Sequence, residues 1–565
     1  MIELVVDNLA PIMFVGLFVF LLSGNPVSFS LAACGLFFGW LGVALGVPGL
    51  EQLLNALPLR IIGILKNETL LAIPFFTMMG LILERSRMAE DLLSTIGQVF
   101  GPVRGGLVYA VIIVGAMLAA TTGVVAASVI SMGLISLPIM LRYGCDRRLI
   151  TGSIAAAGTL AQIIPPSLVL IVIADQLGRS VGDLFLGAFI PGFLLTGMYC
   201  LWVFLISRLK PEYAPPLPPE ARTLRETDGS AGYTSLWVLV GIAFASAQLY
   251  AQTRPAEVPT DELIVTSMML AMAVALTLTL INRLLKLGLL SQLAERVTFV
   301  LIPPLALIFL VLGTIFLGWA TPTEGGAMGA MGALVMALAR KRLNIKLLVQ
   351  AMESTLKLSS FVMFILLGAT VFSLTFQGVD GTMWVEDLLS DLPGGQIGFL
   401  VVVNLMVFVL GFFLDFFELA FIIIPLLAPV AESLGIDLIW FGILLAINMQ
   451  TSFLTPPIGF ALFYMRSVVP ENRYIDKITQ KVIEPISTTQ IYRGAIPFIF
   501  IQVTMLAVVM VFPELVTGNL DKPEAVDIES IELIAEPYDY GADYEDGGEE
   551  EPDPTELLLQ ELQQQ

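Results

Sequence analysis

A helix that crosses a bilayer cannot readily carry two adjacent prolines, because each removes a backbone donor and crowds the preceding turn. This chain carries such a pair twice. The apolar run Leu149 to Ile173 contains GTLAQIIPPS, Gly158 to Ser167, with Pro165 and Pro166 near its middle; a second run contains NMQTSFLTPPIG, Asn448 to Gly459, with Pro456 and Pro457 likewise mid-span. Non-helical backbone at that depth is tolerated only where protein covers it or where it lines a watery cavity, so each run reads as a broken helix at a binding site. The breaks lie 291 residues apart, and the same offset carries Pro138 to Pro429, Gly144 to Gly435 and Asp146 to Asp437. That shared register indicates an internal repeat; chance alignment of Pro and Gly, both frequent in membrane helices, is the alternative.

Of the 565 residues, 57% are hydrophobic, more than a soluble core buries, which indicates an all-α polytopic membrane protein. The formal charge of -20 belongs mostly to one end: from Asp521 onward there are 16 acidic residues and one lysine, leaving -5 for everything before. Runs there such as EDGGEEEPDPTE predict a disordered, self-repelling tail. Histidine is absent, which removes Ser-His-Asp hydrolysis, His-ligated zinc or haem, and histidine proton relays. The cysteines at 34, 145 and 200 form no CxxC pair and no even disulfide framework, so no redox or transition-metal role is assigned to them. No GxxxxGKS loop is present to bind ATP. The expectation is a protein that is no enzyme, has no cofactor and no nucleic-acid partner, and sits in a lipid bilayer. Met1 to Asn8 lacks the basic region of a cleavable signal.

A window of about 20 apolar residues predicts spans at about 5–22, 26–47 and 69–84, the last kinked at Pro74, with an amphipathic arm over Leu50–Leu65 lying in the interface. Leu107–Leu141 is too long for one crossing and is interrupted by AATTGVVAAS. A turn at Thr121, Thr122 and Gly123 makes it a re-entrant hairpin; one kinked crossing plus a stub is the alternative. A second hairpin is predicted over Ile397–Val430, turning at LGFFLDFFE, followed by the second broken helix at about 438–465. With further spans near 184–207, 234–250, 263–281, 299–319, 321–339, 358–377 and 491–513, about 12 helices cross. The expected division is 1–106, N-terminal scaffold helices and arm; 107–207, first hairpin, broken helix and following span; 208–298, a cytoplasmic loop and two inserted helices; 299–395, scaffold helices of the second repeat; 396–513, second hairpin, broken helix and last span; and 514–565, the acidic tail.

Charge fixes the orientation, since short cytoplasmic loops are enriched in Lys and Arg. The loop after the first hairpin, RYGCDRR, carries Arg142, Arg147 and Arg148 and is placed inside; its equivalent, AESLGID, carries Glu432 and Asp437 and is placed outside. The two halves then insert in opposite senses, an inverted repeat, the architecture that puts ligand sites at the midplane. Arg60 and Lys66 fall outside in this map, against the rule.

Hairpin tips and helix breaks expose carbonyl oxygens and small hydroxyls, hard ligands suited to a desolvated sodium ion. The candidates are Thr121, Thr122 and Gly123 at the first tip, with Gly158, Thr159 and Gln162 before the first proline pair. In the second half they are Gly411 and Asp415 near the tip, with Asn448, Gln450, Thr451 and Thr455. A substrate would lie near the tips, at Thr122, Asp415 and Gln450. For any Thr or Ser, a hydroxyl bonded back to its own helix is the structural alternative. Asp415 and Glu418 stand in an apolar run, where a carboxylate costs about 2.5–3.5 kcal/mol on insertion scales and suggests a functional role unless the tip reaches water. TPTEGGAMGAMG, Thr321 to Gly332, has Thr321 as a helix cap, Pro322 at the first position and Glu324 to close a capping box, with Gly325, Gly329 and Gly332 as a packing face.

The motifs LLAIPFFTMMG, GTLAQIIPPS, ATPTEGGAMGA, FFLDFFELAFIIIPLLAPVAESLGID and LTPPIGFALF occur in that order, and together they resemble the large membrane subunit of the tripartite ATP-independent periplasmic (TRAP) transporters, within the ion transporter superfamily, over most of residues 1–515. The resemblance implies an elevator-type transporter of the bacterial inner membrane, driven by Na+, with two partners: a small membrane subunit and a periplasmic substrate-binding protein that delivers a small organic acid. By position it would place sodium ligands at Thr122, Gly123, Gly158, Thr159 and just before Pro165, with a second set at Asp415, Asn448, Gln450 and Thr451. Many members have a first tip containing serine and aspartate, whereas this chain has ATTGVVAAS, and Ala161 and Gln162 stand where many have glycine. With the extra pair of spans, this looks like the mannitol/chloroaromatic branch. The function expected is sodium-coupled secondary uptake of a small organic acid. A proton-coupled carrier in which Asp415 or Glu418 titrates is the alternative; a membrane scaffold or intramembrane enzyme would be a different class.

Overall fold

The computed structural model describes residues 5–520 apart from 225, 227–231, 256, 257, 259, 391, 477 and 519, with the side chains at 22, 122, 260 and 261 also left aside. The tail from Asp521, predicted to be disordered, lies outside the described residues. The first repeat comprises α1 (Leu9–Leu22), α2 (Val27–Leu45), α3 (Leu50–Asn55), α4 (Leu57–Leu65), α5 (Ala72–Arg85), α6 (Met88–Val99), α7 (Gly106–Thr122), α8 (Val125–Arg142), α9 (Arg147–Thr159), α10 (Leu168–Leu177) and α11 (Val181–Leu209). An insert of α12 (Tyr233–Thr253) and α13 (Thr260–Leu285) follows. The second repeat is α14 (Gln292–Phe316), α15 (Pro322–Ala339), α16 (Ile345–Gly378), α17 (Gly381–Ser390), α18 (Gly395–Leu410), α19 (Phe416–Ser433), α20 (Leu438–Leu454), α21 (Phe460–Val468) and α22 (Thr488–Val511), closed by the short α23 (Glu514–Thr517). A two-residue ribbon, Tyr474–Ile475 against Val482–Ile483, is the sheet among the described residues. Among those residues nine helices are long and apolar enough to cross a membrane, or up to eleven if each bent pair counts as one span. The fold is an all-α polytopic membrane protein.

The offset of 291 read from the prolines governs the helix ends. Helices α8 and α19 begin at 125 and 416 and finish at 142 and 433; α9 and α20 begin at 147 and 438; α10 and α21 finish at 177 and 468. The sequence matches have local causes. Asp146 caps α9, its carboxylate accepting from the Arg148 and Leu149 N–H groups, and Asp437 caps α20 through the Trp440 N–H at 2.8 Å. Each such cap contributes about 1 kcal/mol. Gly144 and Gly435 take φ of 81° and 70° just past α8 and α19, the left-handed conformation that ends a helix without a Cβ penalty.

The halves are interleaved. Helix α5 packs on α15 and α2 on α16, while α8 packs on α21 and α10 on α19, each pair joining the two repeats. Two ion pairs show the inversion. Arg142, closing α8, binds Asp476 in the loop beyond α21 at 3.0 Å; Arg179, beyond α10, binds Glu432 at the end of α19 at 3.1 Å. Because the broken helix α9–α10 traverses the molecule between Arg142 and Arg179, the equivalent helices α8 and α19 end on opposite faces. The insert leaves and returns at the arginine-rich face, where the Ser235 and Ser291 hydroxyls meet at 2.7 Å, so it does not reverse the repeat that follows.

Several sequence expectations need correction. Helices α6 and α17 were not anticipated; at 12 and 10 residues they are too short to span, so a search for 20-residue apolar windows passes over them. Pro74 does not kink a helix: it lies in the first turn of α5, where a missing N–H costs little, and the bend of 49° falls before it, between Leu50–Leu65 and Thr69–Arg85. The arm's counterpart in the second half is continuous, since α16 runs unbroken for 34 residues. The capping box at Thr321 and Glu324 forms as expected, and a Cβ on Gly329 would press on Met79 and Val311, so this face packs closely.

The Arg142–Asp476 link makes a testable prediction. The Asp476 carboxylate accepts from the Thr479 N–H at 2.7 Å, the Thr479 hydroxyl at 2.8 Å and the Arg142 guanidinium. The Thr479 N–H above all, then its hydroxyl and Arg142, hold the carboxyl down from 3.8 to about 2. A depressed acid stabilises the fold fully above its ordinary value and ceases to do so as pH falls through the depressed one. Asp476→Asn should therefore lower the melting temperature of the detergent-solubilised protein equally at about pH 6 and about pH 8; a deficit that changes between them contradicts this account.

Candidate functional site

At the first break, α9 ends at Thr159, a 3-10 turn covers Leu160–Gln162, and α10 starts again at Leu168. The Ser167 hydroxyl is 2.9 Å from the Ala161 carbonyl and 3.1 Å from that of Gln162, serving acceptors that the prolines leave without helical donors. At the second break α20 ends at Leu454 and α21 starts at Phe460, and the Tyr492 hydroxyl donates to the Pro457 carbonyl at 2.9 Å. The Pro165–Pro166 and Pro456–Pro457 bonds are both cis.

Each hairpin tip is seated against its own break. Gly123 ends α7 at φ 59°, and a Cβ there would run into Leu168, the first residue of α10. Gly411, just past α18, would with a Cβ strike the Ser452 hydroxyl near the end of α20. Gly158 has the same closeness to Val129 of α8. At these three positions any side chain would collide with its neighbour, and glycine is what the contacts require.

The polar centre lies where the two halves meet. Thr159 and Gln450 are 291 residues apart, hence equivalent positions, and the Gln450 amide donates to the Thr159 hydroxyl oxygen at 3.3 Å. Two equivalent residues in contact mark the axis relating the repeats. Gln502 of α22 donates to the same oxygen at 3.3 Å and to the Tyr199 hydroxyl at 2.7 Å. Thr159, Gln162, Tyr199, Gln450 and Gln502 are all fully buried. Yet the side-chain oxygens of Gln450 and Gln502, and both polar atoms of Gln162, have no partner among the described residues. A buried polar atom without a partner costs about 1–3 kcal/mol, which sets these glutamines apart from the apolar helices around them.

The remaining candidates are distributed around it. Asn448 donates to the carbonyl and side-chain oxygens of Asn404 at 2.6 and 3.0 Å, one helix away in α18. Thr121, Thr451 and Thr455 donate to carbonyls of their own helices, Leu118, Ile447 and Thr451, at 2.9, 2.8 and 2.7 Å; the local alternative takes their protons, although each oxygen keeps acceptor capacity. The Thr122 side chain lies outside the described residues. Asp415 caps α19 and forms a full capping box with Glu418: its carboxylate accepts the Glu418 N–H, and Glu418 accepts the Asp415 N–H, both at 2.9 Å. The two carboxylates at depth thus have a structural task. Sequence reading missed Asn404, Tyr199 and Gln502. Asn404 and Gln502, polar residues within apolar runs, carried the signal that an intramembrane polar group is exceptional; Tyr199 carried none.

A family model described as Tripartite ATP-independent periplasmic transporter, DctM component, matches residues 14–515. The chain belongs to this family. This DctM-family chain is 26% identical over 461 residues to the C4-dicarboxylate TRAP transporter large permease protein DctM of Pseudomonas aeruginosa, covering 81% of this chain and 88% of that protein. It is 23% identical over 495 residues to the sialic acid TRAP transporter large permease protein SiaM of Vibrio cholerae, covering 87% and 94%. Among solved structures, the YdaH transporter of Alcanivorax borkumensis matches with a TM-score of 0.47 and 14% identity over 83% of this chain and 90% of that one. The DctM-family protein is a transport permease and not an enzyme, and as one component of a tripartite system it works with a small membrane subunit and a substrate-binding protein.

The capping box separates charge from structure at Asp415. Asparagine caps helices about as well as aspartate, whereas alanine loses roughly 1 kcal/mol. Thermal unfolding of the DctM-family chain should therefore show Asp415→Ala destabilised and Asp415→Asn near wild type. Equal destabilisation of both would mean that the charge, not the cap, holds the tip.

Proposed function

We propose that this chain couples an inward sodium gradient to the uptake of a small organic acid across the bacterial inner membrane, the acid being delivered by the periplasmic binding protein. The observation that carries the reading is the buried polar centre at Thr159, where the side-chain oxygens of Gln450 and Gln502 have no partner among the described residues. Sodium takes such oxygens without requiring a counter-charge from the protein, whereas a bound proton would need a group that titrates. The acid sits at the tips, near Thr122, Asp415 and Gln450, and the sodium charge offsets the proximity of two carboxylates.

The motion is of the elevator kind. The cross-repeat packing of α8 on α21 and α10 on α19 ties both tips and both breaks into one body, and α2 with α16 and α5 with α15 forms the frame around it. The arginine-rich face is cytoplasmic, which turns the opposite face to the binding protein.

The test is uptake into proteoliposomes holding this chain and its small subunit, with the acid identified on the binding protein, at fixed pH. Uptake should require an inward sodium gradient, and Gln450→Leu should raise the sodium concentration for half-maximal rate by about tenfold, the loss of one charge-assisted oxygen ligand. Uptake driven by a proton gradient without sodium would sink the reading in favour of titration at Asp415 or Glu418.

A further inference from the structure

Arg60 is the residue that the charge rule leaves unexplained, a cation placed on the face where arginines are scarce. It lies in α4, none of whose nine residues is buried. Its guanidinium has no ion pair or hydrogen bond among the described residues. It lines a cavity of about 250 Å³ whose other polar walls are neutral, including Gln176 at the end of α10 and Ser373 and Gln377 of α16; Phe421 and Pro425 of α19 supply an apolar side. Among the described residues no acidic group lines this cavity.

We propose that this cavity is a carboxylate-binding subsite, with Arg60 as its specificity-determining cation. The inference rests on the reading of the chain as an organic-acid transporter and adds to it a recognition group. An unpaired guanidinium among neutral amides and hydroxyls attracts an anion, and its planar fork matches a carboxylate through two parallel N–H···O bonds, which an ammonium cannot reproduce. The volume lies below the roughly 300–1,000 Å³ of sites for drug-sized ligands, which suits an acid of a few carbons. The apolar side accepts a short carbon skeleton and leaves the carboxylate to the polar side. The walls come from both bodies, α4 and α16 on the frame and α10 and α19 on the part bearing the tips, so an acid held here bridges the surfaces that slide past one another. An acid arriving on the arginine-poor face therefore meets Arg60 between those two bodies.

The experiment uses the full chain purified with its small subunit. Melting temperature is followed with millimolar succinate and pyruvate and with their neutral amides, succinamide and pyruvamide. At least one acid should stabilise the wild type while its amide does not; Arg60→Gln should abolish the shift, and Arg60→Lys, which keeps the charge but not the fork, should retain part of it. No shift of the wild type with either acid, or equal shifts in wild type and Arg60→Gln, overturns the proposal and leaves Arg60 as a lipid-facing group. In reconstituted uptake of the acid that stabilises, Arg60→Gln should raise KM by about tenfold or more with kcat largely kept; an unchanged KM likewise overturns it. The two readings fail separately: sodium-independent uptake by the wild type removes the coupling and not the subsite, while a normal sodium response with unshifted KM in Arg60→Gln removes the subsite and not the coupling.

Discussion

Backbone polar groups inside a bilayer must be satisfied by the protein itself, and the two proline breaks are where this chain meets that demand without a helix. The first break satisfies part of it with Ser167, whose hydroxyl reaches the carbonyls of Ala161 and Gln162. The second recruits Tyr492 from α22 to the Pro457 carbonyl. Each solution requires something to lie against the break, and in both halves that is a hairpin tip. The glycine contacts Gly123–Leu168 and Gly411–Ser452 follow from this need. The breaks therefore dictate the hairpins, and the hairpins in turn force the two repeats to interleave.

The fold was largely legible in the chain because its repeat is written in residues whose roles are local. Asp146 and Asp437 are caps, Gly144 and Gly435 are left-handed stops, and the prolines are breaks; each acts within a few residues of itself, so matching positions in sequence mean matching geometry. The span map failed where the physics differs from that of a spanning helix. Amphipathic helices α6 and α17 bury one face beside the bundle without crossing it, and a length criterion built for hydrocarbon thickness does not register them.

The site was less legible, because its contacts are between distant residues. Thr159, Gln450, Tyr199 and Gln502 come from four helices, and no spacing rule brings Gln502 to a threonine 343 residues earlier. Nor could the sequence tell a coordinating carboxylate from a capping one: Asp415 and Glu418 stand three apart at the start of an apolar run, which fits both an intramembrane functional group and a capping box. The structure shows that the capping box forms, through two reciprocal backbone bonds that use one oxygen of each carboxylate.

The repeat is symmetric in backbone and asymmetric in chemistry. The position equivalent to Asp415 is Val124, that of Gln162 is Phe453, and that of Gln450 is Thr159. A pair of inverted halves supplies two interchangeable conformations of similar energy, since each half takes the other's place when the molecule faces the opposite side. If the side chains were equally symmetric, there would be two equivalent binding centres. The polar cluster instead draws a threonine and a tyrosine from the first half and two glutamines from the second, across the axis, and the charged tip occurs once. Substitution at the axis thus concentrates the polar groups into one shared centre, while the matching caps and breaks keep the two halves alike in backbone.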